Sequence, residues 1–266
     1  MLKGLFSNRN VERILFFLFV NEKCYGAQIQ SMLRVPLTPV QKALSRLEKE
    51  GVVSSHYEGK TRIYQFSPAY PLRFELEMLL KKAYTLLPGL EKKRYCFIHK
   101  PRLSLEEEGA RDRNRRNDLL AFWAKLAKIS KLSFSAKTRQ GEEQSTKVGK
   151  AEVFVTSPDP LVLIFQEKGH WFVDQTPDTA FSNSFRWTLD LNASLISLEH
   201  LRYGSTHPVF LFHLTSVSGC ILESVDAHLC ADDTYLVNIT WSPHCVDSHW
   251  RIIGPHKNTQ LAYHYT

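Results

Sequence analysis

The prevailing spacing of apolar residues changes near residue 130, and that change limits what the chain can fold into. Before it, apart from one short hairpin, apolar residues recur at three- and four-residue intervals, as they do on helices that bury one face. After it, runs of alternating apolar and polar residues are separated by short turns, as in strands with one buried face. A helical period does not serve a strand, so two structural classes, each with its own core, are expected. The chain has 266 residues, 43% of them apolar, which is enough for two globular domains and fits neither a disordered nor a fibrous class.

In the helical part, Val11 to Val20 (VERILFFLFV) predicts one apolar helix and Tyr25 to Leu33 (YGAQIQSML) a second, with Arg34 to Leu37 as the turn before a third. Thr38 reads as the N-cap of that third helix, with Pro39 at the first helical position, where a missing N–H is harmless. Val40, Ala43, Leu44 and Leu47 share one face, and Gln41, Lys42, Ser45, Arg46 and Lys49 fall on the other. Gly51 fits a C-cap, and Val52 to Tyr57 and Arg62 to Phe66 read as two strands joined across Glu58, Gly59, Lys60 and Thr61. A further stripe from Leu72 to Leu87 suits either a dimer interface or packing against its own domain.

This order of helix, helix, turn, helix and hairpin resembles the winged helix-turn-helix of ArsR-like bacterial regulators, over roughly residues 8 to 87. The YGxQI piece, the xVQxALxRLExEG helix and the GxxRxY hairpin stand in the matching order. The resemblance implies that the third helix enters the major groove of DNA while the hairpin, or wing, meets the backbone. Gln41, Ser45 and Arg46 are then candidate base readers, and Lys42, Lys49, Lys60 and Arg62 candidate phosphate contacts, with Thr38 at the start of the same face. Metal-sensing members of that family often carry a close Cys pair in the third helix, and this chain has none there. The same charges also suit a merely solvated face or a protein-docking module.

Charge favours the nucleic-acid reading. Residues 1 to 90 hold 13 Lys and Arg against 7 Asp and Glu, residues 91 to 116 hold 9 against 5, and residues 117 to 266 hold 12 against 15. The excess behind the overall +7 is thus confined to the N-terminal part, as an electrostatic footprint for a polyanion is. Residues 91 to 116, with Glu106 to Glu108 and Arg111 to Arg116, read as a charged linker whose arginines either extend the DNA contact or serve as solvated spacer. The five cysteines are scattered and lack any CxxC, which argues against a disulfide framework and a structural zinc site. The longest apolar run, Ile14 to Val20, is about a third of a membrane span. Neither a membrane segment nor a signal peptide is expected, and the cytoplasm is the expected compartment.

From Asp118 to Ile129 the stripe Leu119, Leu120, Phe122, Trp123, Leu126 and Ile129 predicts one more helix. Nine strand-like runs follow between Leu132 and Tyr265, with turns such as SPDP, DLNAS and GSTHP, and they point to an antiparallel up-and-down barrel. Here the chain resembles the DUF6314 family, itself distantly like the lipocalins and other calycins. The resemblance rests on FQEKGHW (Phe165 to Trp171), FSNSFRW (Phe181 to Trp187), ISLEHLRYG (Ile196 to Gly204), PVFLFHL (Pro208 to Leu214), AHLCADDTY (Ala227 to Tyr235) and WRIIGPHKN (Trp250 to Asn258). It implies a fold and no activity.

A barrel of this size holds one small ligand, and polar residues punctuate its strands. Glu167, Arg186, Glu199, His200, Arg202, His213, His228 and Tyr235 are the candidate lining. The opposing reading is that these groups satisfy one another within a filled barrel. No metal site is expected, since His200, His213, His228 and Cys230 lie on separate strands without HxH or HxxxH spacing. No cofactor is expected either, and no nucleophile motif supports an enzyme. The expected organisation is therefore two-domain α+β: a winged helix domain at 1–90, a charged linker at 91–116 and a calycin-like barrel at 117–266 with one flanking helix. The expected function is a homodimeric transcription regulator that binds double-stranded DNA and senses a small ligand. A barrel enzyme localised by its winged helix, and a ligand-free scaffold, are the alternatives.

Overall fold

The computed structural model describes residues 2, 4–6, 8–96, 105–140, 143–173 and 176–266. The chain forms two compact units. The first takes in residues 1–97 together with 229–234 and 253–257, and the second takes in 98–228, 235–252 and 258–266.

The first unit is helical with a small sheet. Helix α1 (Arg9–Asn21) is capped by the Asn8 side chain, which accepts from the Asn10 amide. Its apolar residues surround it on all sides, so it is the buried centre of the unit: Ile14, Phe17, Leu18 and Val20 are fully enclosed. Strand β1 (Lys23–Cys24), helix α2 (Gly26–Leu33) and helix α3 (Leu37–Lys49) follow. The Arg13 guanidinium on α1 donates to the Leu33 carbonyl at 2.5 Å and satisfies an end group of α2. Strands β2 (Val53–Glu58) and β3 (Thr61–Phe66) make an antiparallel hairpin, and β1 joins β3 on its other side, giving the order β1, β3, β2. Helices α4 (Arg73–Thr85) and α5 (Gly89–Lys93) complete the unit.

One local feature differs from expectation, and a second resolves a stripe left open. Helix α3 starts at Leu37 with Pro36 as its N-cap, so Thr38 lies in the first turn and caps nothing. Pro39 is accommodated there because the first amides of a helix have no intrahelical acceptor in any case. Along α4 and its two capping residues the stripe divides: Leu80, Ala83 and Tyr84 are buried, while Leu79 on the helix and Leu72 and Leu86 at its caps, seven residues apart, are exposed.

The second unit opens with helix α6 (Leu105–Leu126), which begins well before Asp118 and so claims part of the stretch expected as linker. Its first turns have no apolar stripe. Residues 97–104 of that stretch lie outside the described residues.

Eleven strands follow: β4 (Lys131–Gln140), β5 (Glu143–Asp159), β6 (Val162–Val173), β7 (Thr176–Asp190), β8 (Leu195–His200), β9 (Val209–Ser218), β10 (Ile221–Ser224), β11 (His228–Cys230), β12 (Asp233–Trp241), β13 (Val246–Ile253) and β14 (Asn258–Tyr265). Ten of them close a ring, running β10, β9, β8, β7, β6, β5, β4, β14, β13, β12 and back to β10, and β11 sits beside β12. The closing pair is antiparallel, with Leu222 opposite Ile239. The result is an antiparallel ten-stranded barrel. Two strands were not legible as such in the sequence. β10 is only four residues long, and the run from His228 to Trp241 breaks at Ala231, whose φ of 50° leaves the extended region.

Helix α6 packs one end of the barrel. Leu119, Phe122 and Leu126 enter the core, Phe122 lying 6.4 Å from the Trp187 ring and 6.1 Å from Trp241. Ser216 donates to Asp118 at 2.7 Å and the Trp123 indole donates to the Pro160 carbonyl at 3.0 Å, which fix the helix in place. Among the described residues no helix is long and apolar enough to cross a membrane.

Candidate functional site

Helix α3 divides cleanly. Val40, Ala43, Leu44 and Leu47 are buried, and Thr38, Gln41, Lys42, Ser45, Arg46 and Lys49 are exposed together on the opposite face. The buried face fixes the rotation of the helix, so the exposed set is presented as one strip of amide, hydroxyl and cationic groups. No described acidic group is paired with Lys42, Arg46 or Lys49. Chemically, such a strip suits hydrogen bonding to planar polar edges and charge pairing with phosphate.

The hairpin beside it is held by an ionic clamp. Arg62 on β3 donates from one terminal nitrogen to both Glu48 oxygens, at 2.9 and 2.7 Å, and from Nε to Ser55 Oγ at 2.9 Å. Ser55 in turn donates to Glu48 at 2.5 Å, and the guanidinium lies 5.3 Å from the Tyr64 ring centre. Glu48 belongs to α3, so the clamp ties the hairpin to that helix. Arg62, expected among the phosphate contacts, is thus engaged as a brace between the hairpin and α3 and keeps a partly exposed side chain.

At the hairpin tip, pairing of Glu58 with Thr61 leaves Gly59 and Lys60 as a two-residue turn. Gly59 takes a φ of +60°, which only glycine adopts readily at the first position of such a turn. Lys60 is exposed there. Glu58 is 3.0 Å from His56 and 3.6 Å from Lys23, and the hydrogen bond from His56 holds its carboxyl below the ordinary range.

In the second unit strand parity decides which groups face inward. On β6, Leu163, Phe165 and Glu167 are buried while Gln166 and Lys168 are exposed, so Glu167 is an acid inside an apolar core. It has no measurable exposure. Its oxygens accept from the Tyr265 hydroxyl at 2.8 Å and the Asn183 amide at 3.3 Å, both neutral donors. Burial pushes its pKa up to about 6, against the smaller opposing effect of those two hydrogen bonds. Burial and the nearby Glu167 likewise raise the phenols of Tyr263 and Tyr265.

Beyond Glu167, away from α6, the inward positions carry rings. Phe134 lies 4.6 Å from Trp171, 5.1 Å from Phe181 and 5.7 Å from Tyr263. A side chain at Gly149 would run into the Phe134 ring, so glycine there makes room for this cluster. Trp171, Phe181, Phe185, Tyr235, Trp250 and Tyr263 are only partly buried against the core, in contrast to Phe122, Phe165 and Phe212, which are enclosed.

The expected lining residues separate on this geometry. Glu167 and Tyr235 lie with the core, and His200 shares the inner face with Phe185, on which its ring stacks at 4.8 Å. Burial, then the charge of Arg202, lowers the His200 pKa. His228 sits among the rings of Phe210, Phe212 and Tyr235. Arg186 and Glu199 are register partners flanked by the buried Trp187 and Leu198, which puts them on the outer face, where they pair at 2.7 Å. His213, between buried Phe212 and Leu214, is also outward and bonds Ser197 at 3.0 Å. Arg202 is exposed beside Tyr203. The reason is parity: a one-residue difference along a strand reverses the face. Asn183, Tyr263 and Tyr265 were missed, although the alternation in LAYHY marks the two tyrosines as one face.

Residues 130–266 match the family of unknown function DUF6314. The match covers more than half of the chain, and the chain belongs to that family. No curated protein matches it.

Proposed function

We propose that this DUF6314 family member is a DNA-binding transcription regulator, in which the first unit is an ArsR-like winged helix-turn-helix and the barrel senses a small ligand. The observation that carries this reading is the exposed strip Gln41, Lys42, Ser45, Arg46 and Lys49 on a helix whose other face is core. In this reading α3 enters the major groove, Gln41, Ser45 and Arg46 meet base edges, and Lys42, Lys49 and Lys60 meet phosphates. The clamp through Arg62 and Glu48 sets the hairpin's position relative to that helix. The exposed leucines Leu72, Leu79 and Leu86 supply a self-complementary seam for a homodimer.

The barrel's part follows from its inner surface. A carboxyl with two neutral partners below a ring of partly buried aromatics suits an apolar, planar ligand that offers one hydrogen-bond donor or a cationic group to Glu167. Such a ligand alters DNA binding only if its affinity differs between DNA-competent and incompetent states. Binding of the full chain to duplexes selected from a random pool tests the DNA half. Arg46→Ala is expected to weaken selected sites by about 1–3 kcal/mol and relax preference at one position, and an unchanged preference removes α3 as the reader.

The pKa of Glu167, near 6, favours a second reading, in which the barrel is an enzyme that uses this carboxyl as a general acid or base. Glu167→Gln separates the two. An enzyme loses turnover, whereas a sensor keeps DNA binding and loses its response to ligand.

A further inference from the structure

The outer face of β13 and β14 carries a second cluster that neither the DNA strip nor the barrel interior uses. Along β13 the side chains of Val246 and Ser248 are buried, so Asp247 and His249 face outward, and Cys245 just before the strand continues that parity. On the neighbouring strand β14, His264 stands between the inward Tyr263 and Tyr265 and also faces outward. One donor atom each of Cys245, Asp247 and His264 lies within 4.8 Å of the others.

The carboxylate is at the centre of this group. Asp247 Oδ1 is 2.6 Å from His264 Nδ1, and Oδ2 is 3.5 Å from Cys245 Sγ. The thiol is positioned by its turn: Ser242 Oγ accepts from the amides of His244 and Cys245 at 3.2 Å each, and the Ser242 amide donates to the Cys245 carbonyl at 2.8 Å. A surface Asp–His pair alone explains the first contact. It does not explain why a thiol is fixed on the other oxygen of the same carboxylate.

We propose that Cys245, Asp247 and His264 bind a divalent transition-metal ion, with zinc the best match. A thiolate, an imidazole and a carboxylate together are the donor types zinc takes, and a hard cation such as magnesium or calcium does not select for sulfur. In a tetrahedral site with ligand bonds of about 2.1 Å the donors stand about 3.4 Å apart. The sulfur to oxygen distance already matches, and the ion enters between His264 Nδ1 and Asp247, so that those two atoms separate and the neutral imidazole, bound through Nδ1, carries its single proton on Nε2. The thiol proton is released to solvent on binding. The fourth position falls to water or to His249, which lines the same open cleft of about 550 Å³ as Asp247 and His264, with Ser133, Ser135 and Lys150 on its other side. No CxxC or HxH marks the site, because the donors come from alternate positions on one strand and from a second strand brought alongside it.

The test uses the full chain after treatment with a chelator. Zinc is titrated against a chromophoric chelator, and cobalt(II) is added in parallel to read the sulfur-to-cobalt charge-transfer band, which requires thiolate ligation. One equivalent of zinc and a cobalt band are expected, with Cys245→Ser abolishing the band and His264→Ala weakening zinc binding at least about tenfold. Cys220→Ser, at an exposed cysteine outside the cluster, is expected to change neither. Should Cys245→Ser fail to fold, alkylation of the unmodified chain gives the same answer: zinc is expected to protect Cys245 and leave Cys220 reactive. Absence of stoichiometric zinc uptake, a cobalt band that survives in Cys245→Ser, or equal alkylation of Cys245 with and without zinc overturns the proposal.

Discussion

In the first unit the cationic strip stands outside a packed core, and in the second a carboxyl stands inside one. Lys42, Arg46 and Lys49 lie on the water side of α3, held in direction by the buried Val40, Leu44 and Leu47 behind them. Glu167 has the reverse arrangement, with apolar rings around it and Tyr265 and Asn183 as its polar partners among the described residues. The difference teaches where each kind of recognition is obtained. An outward strip is suited to a large partner that brings its own charge and is screened by salt, whereas a buried acid is suited to a small partner that must leave water to reach it.

If the barrel interior is the packed, specific environment described, its largest sensitivity lies in the α6 plug. Phe122→Ala is expected to destabilise the chain by about 3–5 kcal/mol, read from urea unfolding followed by tryptophan fluorescence. A loss below about 1 kcal/mol would mean that α6 is an appendage and that the two units do not differ in the way proposed.

Glu167 gives the next effect, and its sign is fixed by the direction of the shift. Folding raises its pKa from 4.5 to about 6, so the folded chain holds the proton more tightly than the unfolded one. Stability from this group is therefore lost as pH rises from about 4.5 through 6, by about 2 kcal/mol in all. Glu167→Gln, which keeps an acceptor for Tyr265, is expected to remove that dependence and to be more stable than the parent at pH 7.5. A parent chain whose urea midpoint does not fall across this window would place the carboxyl in contact with water.

The clamp on the outside should behave otherwise. Glu48 and Arg62 form a partly exposed pair, and Glu48→Gln is expected to lower stability by only about 0.5 kcal/mol in thermal unfolding. A loss of several kcal/mol would make the clamp part of a core. The smallest effect is expected at the hairpin tip. Lys60→Ala should reduce the salt slope of DNA binding by about one and weaken all sequences alike. A sequence-dependent change would put Lys60 on base edges.

The two regions were not equally legible in the amino-acid sequence. The buried face of α3 follows from its helical period, and once that face is known the exposure of the opposite strip follows too. The Arg62 clamp is not legible in this way, because nothing in GKTRIY shows that Glu48 on the preceding helix reaches it. In the barrel the fold class and most strands were readable from alternation, yet facing was not, since the face of a residue depends on the parity of its strand. Arg186, Glu199 and His213, three of the candidates for the lining, lie on the outer face, while Asn183, Tyr263 and Tyr265, outside that candidate set, lie within reach of Glu167 or beside it. The Cys245, Asp247 and His264 cluster shows the same limit, because strand pairing joins what chain order separates.

The account stands most directly on sequence-specific binding of duplex DNA through α3. Selection from a random duplex pool by the full chain at near-physiological salt, sequenced and repeated with the Lys42→Glu/Arg46→Glu double variant, measures it. The predicted result is an enriched motif of two related half-sites about one helical turn apart that disappears in the double variant. A pool that stays random, or a motif that the double variant enriches equally well, contradicts it.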